Sequence, residues 1–499
     1  MLPLTKKKGI GKVGKKIKNK VTLDFIGHNA NGVTGSATLC SFYDYKLGRD
    51  VNILIECGGK QDGSIYDNYK ANRDTLEKIN AKEIDYILLG HAHIDHSFLL
   101  PAIVKRGFTG KIMTTRPTAR LCKELWYDSH FIMDTECKWL TSKRGIKAKP
   151  FYVEGDIGKT IDMLYECELN KEHELTPCIK IKLIPNRHIL GSCSIEIYFK
   201  GENSHIKKLF YTSDLGNANL EKHFVYPTQF DKINANVVIC ESTYGNKSRE
   251  PITKKLRKNE LKLMEKTIKD TLLRKQGHVL FPAFSLDRTQ NILCYLKDIF
   301  QRNEELSDCQ VIVDGRLTSK ITEVYRKVLD GEDLEKLNQL LSWKNLRIIH
   351  DFRVTSAIIA DKKPKIVLSS SGFIQNGHII EYCKSYVKSE RNTIIFTGYS
   401  PEGSIASKLK KHEQEYIKIE NSNYRLKCET LELKSFSSHI QHDQIINLLT
   451  NSKITDKIIL VHGENEARNC LREELKESLA NVSKTTNISV PKRNTSIVF

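Results

Sequence analysis

Apolar positions recur along the chain in two rhythms. Through the first half, short runs rich in Val, Ile and Leu predict strands at residues 21–26, 37–43, 52–56 and 82–89. The third run leads into the tight turn Cys57-Gly58-Gly59, and the fourth runs straight into His91. A helix is predicted from near His96 to just before Gly107, and strands follow at residues 179–184, 194–199, 208–212 and 237–240. Beyond Tyr244-Gly245 the rhythm lengthens. Helices at 252–271 and 287–301 alternate with buried strands at 278–281, 310–313, 366–368 and 393–396, the pattern of a doubly wound α/β unit. From about Leu431 the short strands return, and the one at 458–461 is followed by His462. One domain interrupted by another is the expected organisation: a basic arm at 1–20, a split domain at 21–246 and 428–499, and an insert at 247–427.

Length supports more than one core, since 499 residues exceed what a single domain usually holds. No apolar run approaches the roughly 18 to 20 residues of a spanning helix, and the start lacks the apolar centre of a secretory signal. A membrane protein is therefore not expected. Thirteen cysteines, with no C-x-x-C pair, predict free thiols in a reducing intracellular compartment: cytoplasmic, or nuclear in a eukaryote. Cys57, Cys240 and Cys294 sit in apolar runs and read as small core residues. The net charge of +19 favours a polyanionic partner. Eight lysines and no acid fall in residues 1–20, which read equally well as a solvated, disordered tail and as a binding arm.

The strongest chemistry lies in His91-Ala92-His93-Ile94-Asp95-His96. In an extended turn His91 and His93 project to the same side, so both imidazoles reach one cation. Asp95 and His96, entering a helix, can point to a second. Neutral imidazole and carboxylate suit zinc. Two metals need further ligands, and His188, Asp214 and His462 each follow a strand and precede small residues. Taken singly, a helix-capping aspartate or a packed loop histidine explains each as well; their common placement is what raises them.

With these motifs in order, the chain resembles the β-CASP family of metallo-β-lactamase-fold nucleases from about Val21 to its end. Ile55-Glu56-Cys57-Gly58, the 91–96 cluster, His188 and Asp214 resemble its first four motifs. Glu241-Ser242-Thr243-Tyr244-Gly245, Ser435-Phe436-Ser437-Ser438-His439 and Val461-His462-Gly463-Glu464 resemble its motifs A, B and C, and Pro282-Ala283-Phe284-Ser285 a strand end of its insert. The resemblance implies an αββα metallo-β-lactamase sandwich interrupted by a doubly wound α/β β-CASP domain. It also implies two Zn2+, one held by His91, His93 and His188, the other by Asp95, His96 and His462, with Asp214 bridging. The implied reaction is two-metal hydrolysis of a phosphodiester by water activated between the cations, with no covalent enzyme intermediate. Asp95, His439 and Glu241 are the implied catalytic residues: His439 as general acid for the leaving alkoxide, Glu241 as its orienting carboxylate.

Three places depart from the family pattern: Glu56 stands where aspartate is commoner, Gln441 replaces an acid two positions after His439, and Asp314-Gly315-Arg316-Leu317 replaces a usual Asp-Ser-Pro-Leu run. DNA-repair members of the family typically lack the motif-C histidine. His462 therefore points to single-stranded RNA, with DNA as the alternative, and the branch acting in messenger-RNA 3′-end formation is the nearest likeness. Endonuclease action is favoured over 5′-to-3′ exonuclease action. Ser369, Ser370, Ser371 and Gly372 follow a strand and are candidates for contacting substrate phosphates, although an ordinary turn explains them equally well; Arg288 and Arg316 are basic candidates in the insert. A homodimer and a subunit of an RNA-processing complex are both compatible assemblies. A small-molecule hydrolase and a nucleic-acid-binding scaffold are the competing classes, the first opposed by the insert and the basic charge.

Overall fold

The structure, a computed structural model, describes residues 19–499 except 219, 247–250, 399 and 401–402; the lysine-rich arm thus falls, apart from its last two residues, outside the described residues. Two seven-stranded sheets lie face to face. One runs in the order Thr495–Val498, Val21–Phe25, Thr38–Asp44, Arg49–Ile55, Tyr86–Leu88, Lys111–Thr115, Leu164–Cys167. The other runs Asn487–Ser489, Lys453–Val461, Asn234–Glu241, Ile206–Tyr211, Cys193–Lys200, Ile179–Pro185, Glu172–Thr176.

The alternation read in the sequence is what seals them. Val21, Leu23 and Phe25 on one sheet and Ile179, Ile181 and Leu183 on the other are buried in one shared core. Helices cover the outer faces: His442–Asn451 and Asn465–Asn481 bury Leu449, Leu471 and Leu475 against the second sheet. On the first, the 29-residue helix Arg116–Arg144 buries Leu121, Cys122 and Trp126. Its bounds follow local rules: Thr115 caps it by accepting from Thr118 N, Pro117 occupies the first turn, and Gly145 ends it at φ 65°.

A third, all-parallel sheet forms the insert, in the order Leu346–Ile349, Gln310–Asp314, Lys365–Ser369, His278–Pro282, Thr393–Phe396, Glu429–Glu432. Helices pack on both faces, as a parallel sheet requires. Two packed sheets with helices outside, interrupted by a doubly wound parallel α/β unit, are the architecture that the motifs led one to expect.

The helix predicted from His96 differs in detail. It begins earlier, as the single turn Ile94–Ser97, and resumes as Leu100–Lys105, with Pro101 in the first turn where its missing N–H costs nothing. All thirteen cysteines are unpaired, and Cys57, Cys240 and Cys294 are buried in apolar clusters. No helix among the described residues is long and apolar enough to cross a membrane.

Candidate metal centre

The second sheet delivers most of the site. Ile206–Tyr211, Asn234–Glu241 and Lys453–Val461 run parallel, and Ile179–Pro185 shares their direction through two antiparallel pairings, so all four carboxyl ends reach one edge. His188, Asp214, Glu241 and His462 stand on or just past those ends. Across from them, Glu56 and His91 follow Arg49–Ile55 and Tyr86–Leu88 of the first sheet.

These side chains converge. His93 Nδ1 lies 3.2 Å from His91 Nε2 and 3.3 Å from His188 Nε2. His96 Nε2 lies 3.2 Å from His462 Nε2, and Asp95 Oδ2 is 3.6 and 3.5 Å from the same two nitrogens. Asp214 stands between the groups. Its Oδ2 faces His91 and His188 at 3.6 Å and His96 at 3.4 Å, while its Oδ1 faces His462 at 3.4 Å. The seven residues nominated from sequence thus meet in one place.

Hydrogen bonds behind the cluster set which nitrogen each imidazole presents. His96 Nδ1 donates to Glu56 Oε2 at 2.5 Å, since a carboxylate can only accept. His91 Nδ1 meets Ser213 Oγ at 3.1 Å, and Ser213 passes its hydrogen to Glu56 Oε1 at 3.0 Å. His462 Nδ1 meets Thr243 Oγ1 at 3.0 Å, and Thr243 donates to Glu241 Oε2 at 2.6 Å. In each case the Nδ1 proton is held behind the ring, and Nε2 is the nitrogen turned inward.

A buried carboxylate oxygen without a donor is costly. Among the described residues Asp214 Oδ1 has no hydrogen-bond donor, and His188 Nδ1 is likewise unpartnered. A cation between the inward-facing atoms gives Asp214 Oδ1 its partner, so the donor set fits a metal; two groupings, His91/His93/His188/Asp214 and Asp95/His96/His462, have the compactness for one.

Electrostatics agree. Burial, the largest influence, presses the pKa of His91 and His188 well below the ordinary value and that of His93 to about 4, leaving their lone pairs free at neutral pH. Burial opposes charge on His96 and His462 too, but Asp214 and Asp95, with Glu56 for His96, outweigh it, holding His96 well above its ordinary range and His462 at about 9. The same imidazoles keep Asp95 and Asp214 ionised, overcoming desolvation.

Beside the cluster stands His439, whose ring centroid is 4.7 Å from that of His188. Its Nδ1 faces Glu241 Oε2 at 3.1 Å, and its side chain is 20% exposed where that of Glu241 is 1%. Glu241 also accepts Leu215 N at 2.5 Å, which ties it to the Asp214 loop. Gln441, the departure noted beside His439, donates to the His439 carbonyl at 3.0 Å.

The serine loop lies elsewhere, at the carboxyl end of Lys365–Ser369 in the insert. Ser369 is buried, its hydroxyl donating to Asp314 O at 2.9 Å and its carbonyl accepting Ala283 N at 3.0 Å; Ser371 Oγ accepts Gln375 N at 3.1 Å.

Sequence reasoning passed over Ser213 and Thr243, because serine and threonine are too common for the role to show. It also passed over the left-handed backbone at Glu56, Arg187, Ser213 and His462, with φ of 59°, 64°, 49° and 53°. Strained non-glycine positions cluster where function over-determines the chain.

Comparison with known proteins matches three families along the chain. These are the metallo-beta-lactamase superfamily over residues 33–134, the Beta-Casp domain over 289–409, and the Zn-dependent metallo-hydrolase RNA specificity domain over 423–490. Similar proteins include Ribonuclease TTHA0252 of Thermus thermophilus, 26% identical over 88% of this chain and 92% of the relative. The RNase J-like protein of Methanocaldococcus jannaschii is 26% identical over 83% and 87%. Endoribonuclease YSH1 of Saccharomyces cerevisiae is 26% identical over 89% of this chain, which spans 56% of that longer protein. A protein of unknown function from Enterococcus faecalis superposes with a TM-score of 0.52 at 13% identity, covering 96% of this chain and all of the other, a likeness of fold.

Proposed function

We propose, from the premise that the chain belongs to the β-CASP family of metallo-β-lactamase-fold hydrolases, that it is a two-zinc ribonuclease cutting single-stranded RNA as an endonuclease. The observation that carries this is the double cluster of imidazoles with Asp214 shared between its halves. RNA as substrate is supported by the ribonuclease names of the similar proteins, by the RNA specificity domain matched at 423–490 and by the net charge of +19.

His91, His93 and His188 would hold one zinc and Asp95, His96 and His462 the other, with Asp214 standing between the two groups. Bound there, the ions would supply Lewis acidity to the phosphodiester and make water nucleophilic near neutral pH. Glu56 and Glu241 act from behind, holding the Nδ1 protons of His96, His91 and His462 so that each ring keeps one orientation and one tautomer. Cleavage expels an alkoxide that needs a proton. His439, partly exposed and with Nδ1 against Glu241, is placed to deliver that proton from Nε2.

RNA labelled at either end tests the reading. The wild-type chain should release internal fragments with both labels, and Asp95→Ala should release none. Mononucleotides from the 5′ end would replace endonuclease by exonuclease action; intact RNA alongside cleaved single-stranded DNA would move the substrate to DNA.

A further inference from the structure

The insert meets the metal domain through a short turn that the metal chemistry does not use. After His278–Pro282, the residues Phe284 to Arg288 curl back, closed by Thr289 N donating to Phe284 O at 3.3 Å. Asp287 and Arg288 reach the segment just before His439. Asp287 Oδ2 accepts from Ser438 Oγ at 3.1 Å, and Arg288 Nη2 reaches the same hydroxyl at 3.4 Å. Lys222 pairs with Asp287 at 3.0 Å and also donates to the carbonyl of His188.

Two side chains on this turn stand out. Phe284 is a large apolar ring left 39% exposed, yet fixed: it packs edge-on against Phe373 at 5.0 Å and 89°. Arg288 is half-buried, and among the described residues its guanidinium meets one acceptor, Ser438 Oγ, and no carboxylate within ion-pair distance. A guanidinium carries five donors, so most of this fork is unspent. Burial, the largest influence, presses against its charge.

The neighbouring strands make room for both. His278–Pro282 lies between Lys365–Ser369 and Thr393–Phe396 in the parallel sheet, so the loops after all three strands share its carboxyl edge, where α/β sheets take ligands. Each flanking loop places a glycine against the turn. A Cβ on Gly372 would fall 3.0 to 3.2 Å from three atoms of the Phe284 ring, and a Cβ on Gly398 would fall 2.5 Å from Arg288 Nη1. The small cavity between the domains is lined there by Lys222, Arg257 and Arg288, which outnumber the acids Glu221 and Asp287, with Ser437 and Ser438 beside them, a slight cationic excess that favours a phosphate.

We infer that this turn is a nucleotide-binding step on the substrate path, where the Phe284 ring stacks a nucleobase and the Arg288 guanidinium pairs with the adjoining phosphate. Aromatic faces accept any base, and cations track the backbone, which is how single strands are held without sequence preference. The inference rests on the ribonuclease reading and adds the means by which the insert grips the strand beside His439.

Fluorescence anisotropy with a labelled single-stranded RNA tests it, in an Asp95→Ala background that leaves the RNA whole. Phe284→Ala should weaken binding roughly 5- to 150-fold, and Phe284→Leu nearly as much, while Phe284→Tyr holds affinity. An RNA with an abasic site at the stacked position should bind Phe284→Ala and its background equally. Arg288→Ala should lower the slope of log K against log salt by about 0.7, and Phe284→Ala should leave it unchanged. A background that binds as Phe284→Ala does on every RNA overturns the inference alone, provided the wild-type chain cleaves the same RNA. A wild-type chain that leaves that RNA intact overturns the ribonuclease reading beneath it.

Discussion

His439 and His462 are tied to a single carboxylate. Glu241 Oε2 faces His439 Nδ1 at 3.1 Å and also accepts the hydroxyl of Thr243, which stands 3.0 Å from His462 Nδ1. One buried residue therefore orients both the candidate proton donor and a candidate metal ligand.

This separates two variants. His439→Ala should lose about 10²- to 10⁴-fold in kcat on RNA while keeping its zinc. On bis(p-nitrophenyl) phosphate, whose leaving group needs no proton, the same variant should lose little. Glu241→Gln should lose activity and also bind zinc about 10- to 100-fold more weakly, because the support of His462 goes with it. An equal loss for His439→Ala on both substrates would remove its role as general acid.

The metal-free chain should be most stable near pH 6.5. His91, His93 and His188 have folded pKa values below the ordinary 6.5, so the unfolded chain takes up protons that the folded one refuses, and stability falls as pH drops from 6.5 toward 4. His96 and His462 are shifted the other way, so their contribution is complete below 6.5 and is lost as pH rises toward 9. Thermal melts of the chelated protein across pH 5 to 9 read both limbs. Zinc should raise Tm and flatten the alkaline limb, since the cation replaces those two protons.

At the seam between the domains, the 14%-exposed side chain of Lys222 pairs with the nearly inaccessible Asp287. Burial pulls the Lys222 pKa down to about 8 despite that partner. Asp287→Asn should therefore cost about 3–5 kcal/mol by leaving the ammonium uncompensated, and adding Lys222→Met should recover part of it. Denaturant melts of the two variants measure the difference. No loss in Asp287→Asn would mean that the pair does not hold the insert in place.

The metal cluster was legible because its chemistry is local. His91 to His96 announce themselves in six positions, and His188, Asp214 and His462 each follow an apolar run and precede small residues. The insert was legible in outline because its strands are continuous apolar runs between long amphipathic helices. What the sequence hid depends on distance along the chain. Ser213 and Thr243 become relays only once folding brings His91, 122 residues away, and His462, 219 residues away, to them. Lys222 and Asp287 are ordinary surface-type residues until the insert closes on the first domain, and the left-handed turns at Glu56 and His462 leave no compositional mark. Ser369, attractive as a phosphate contact, has its hydroxyl turned to Asp314 O.

Zinc per chain, measured by elemental analysis on protein freed of loosely bound metal, tests the shared cluster most directly. The wild type should hold two ions, and His188→Ala and His462→Ala one each, both without RNA cleavage. A wild-type chain that cleaves RNA while holding no divalent metal, or a His188→Ala/His462→Ala pair that still retains both ions, would contradict the account.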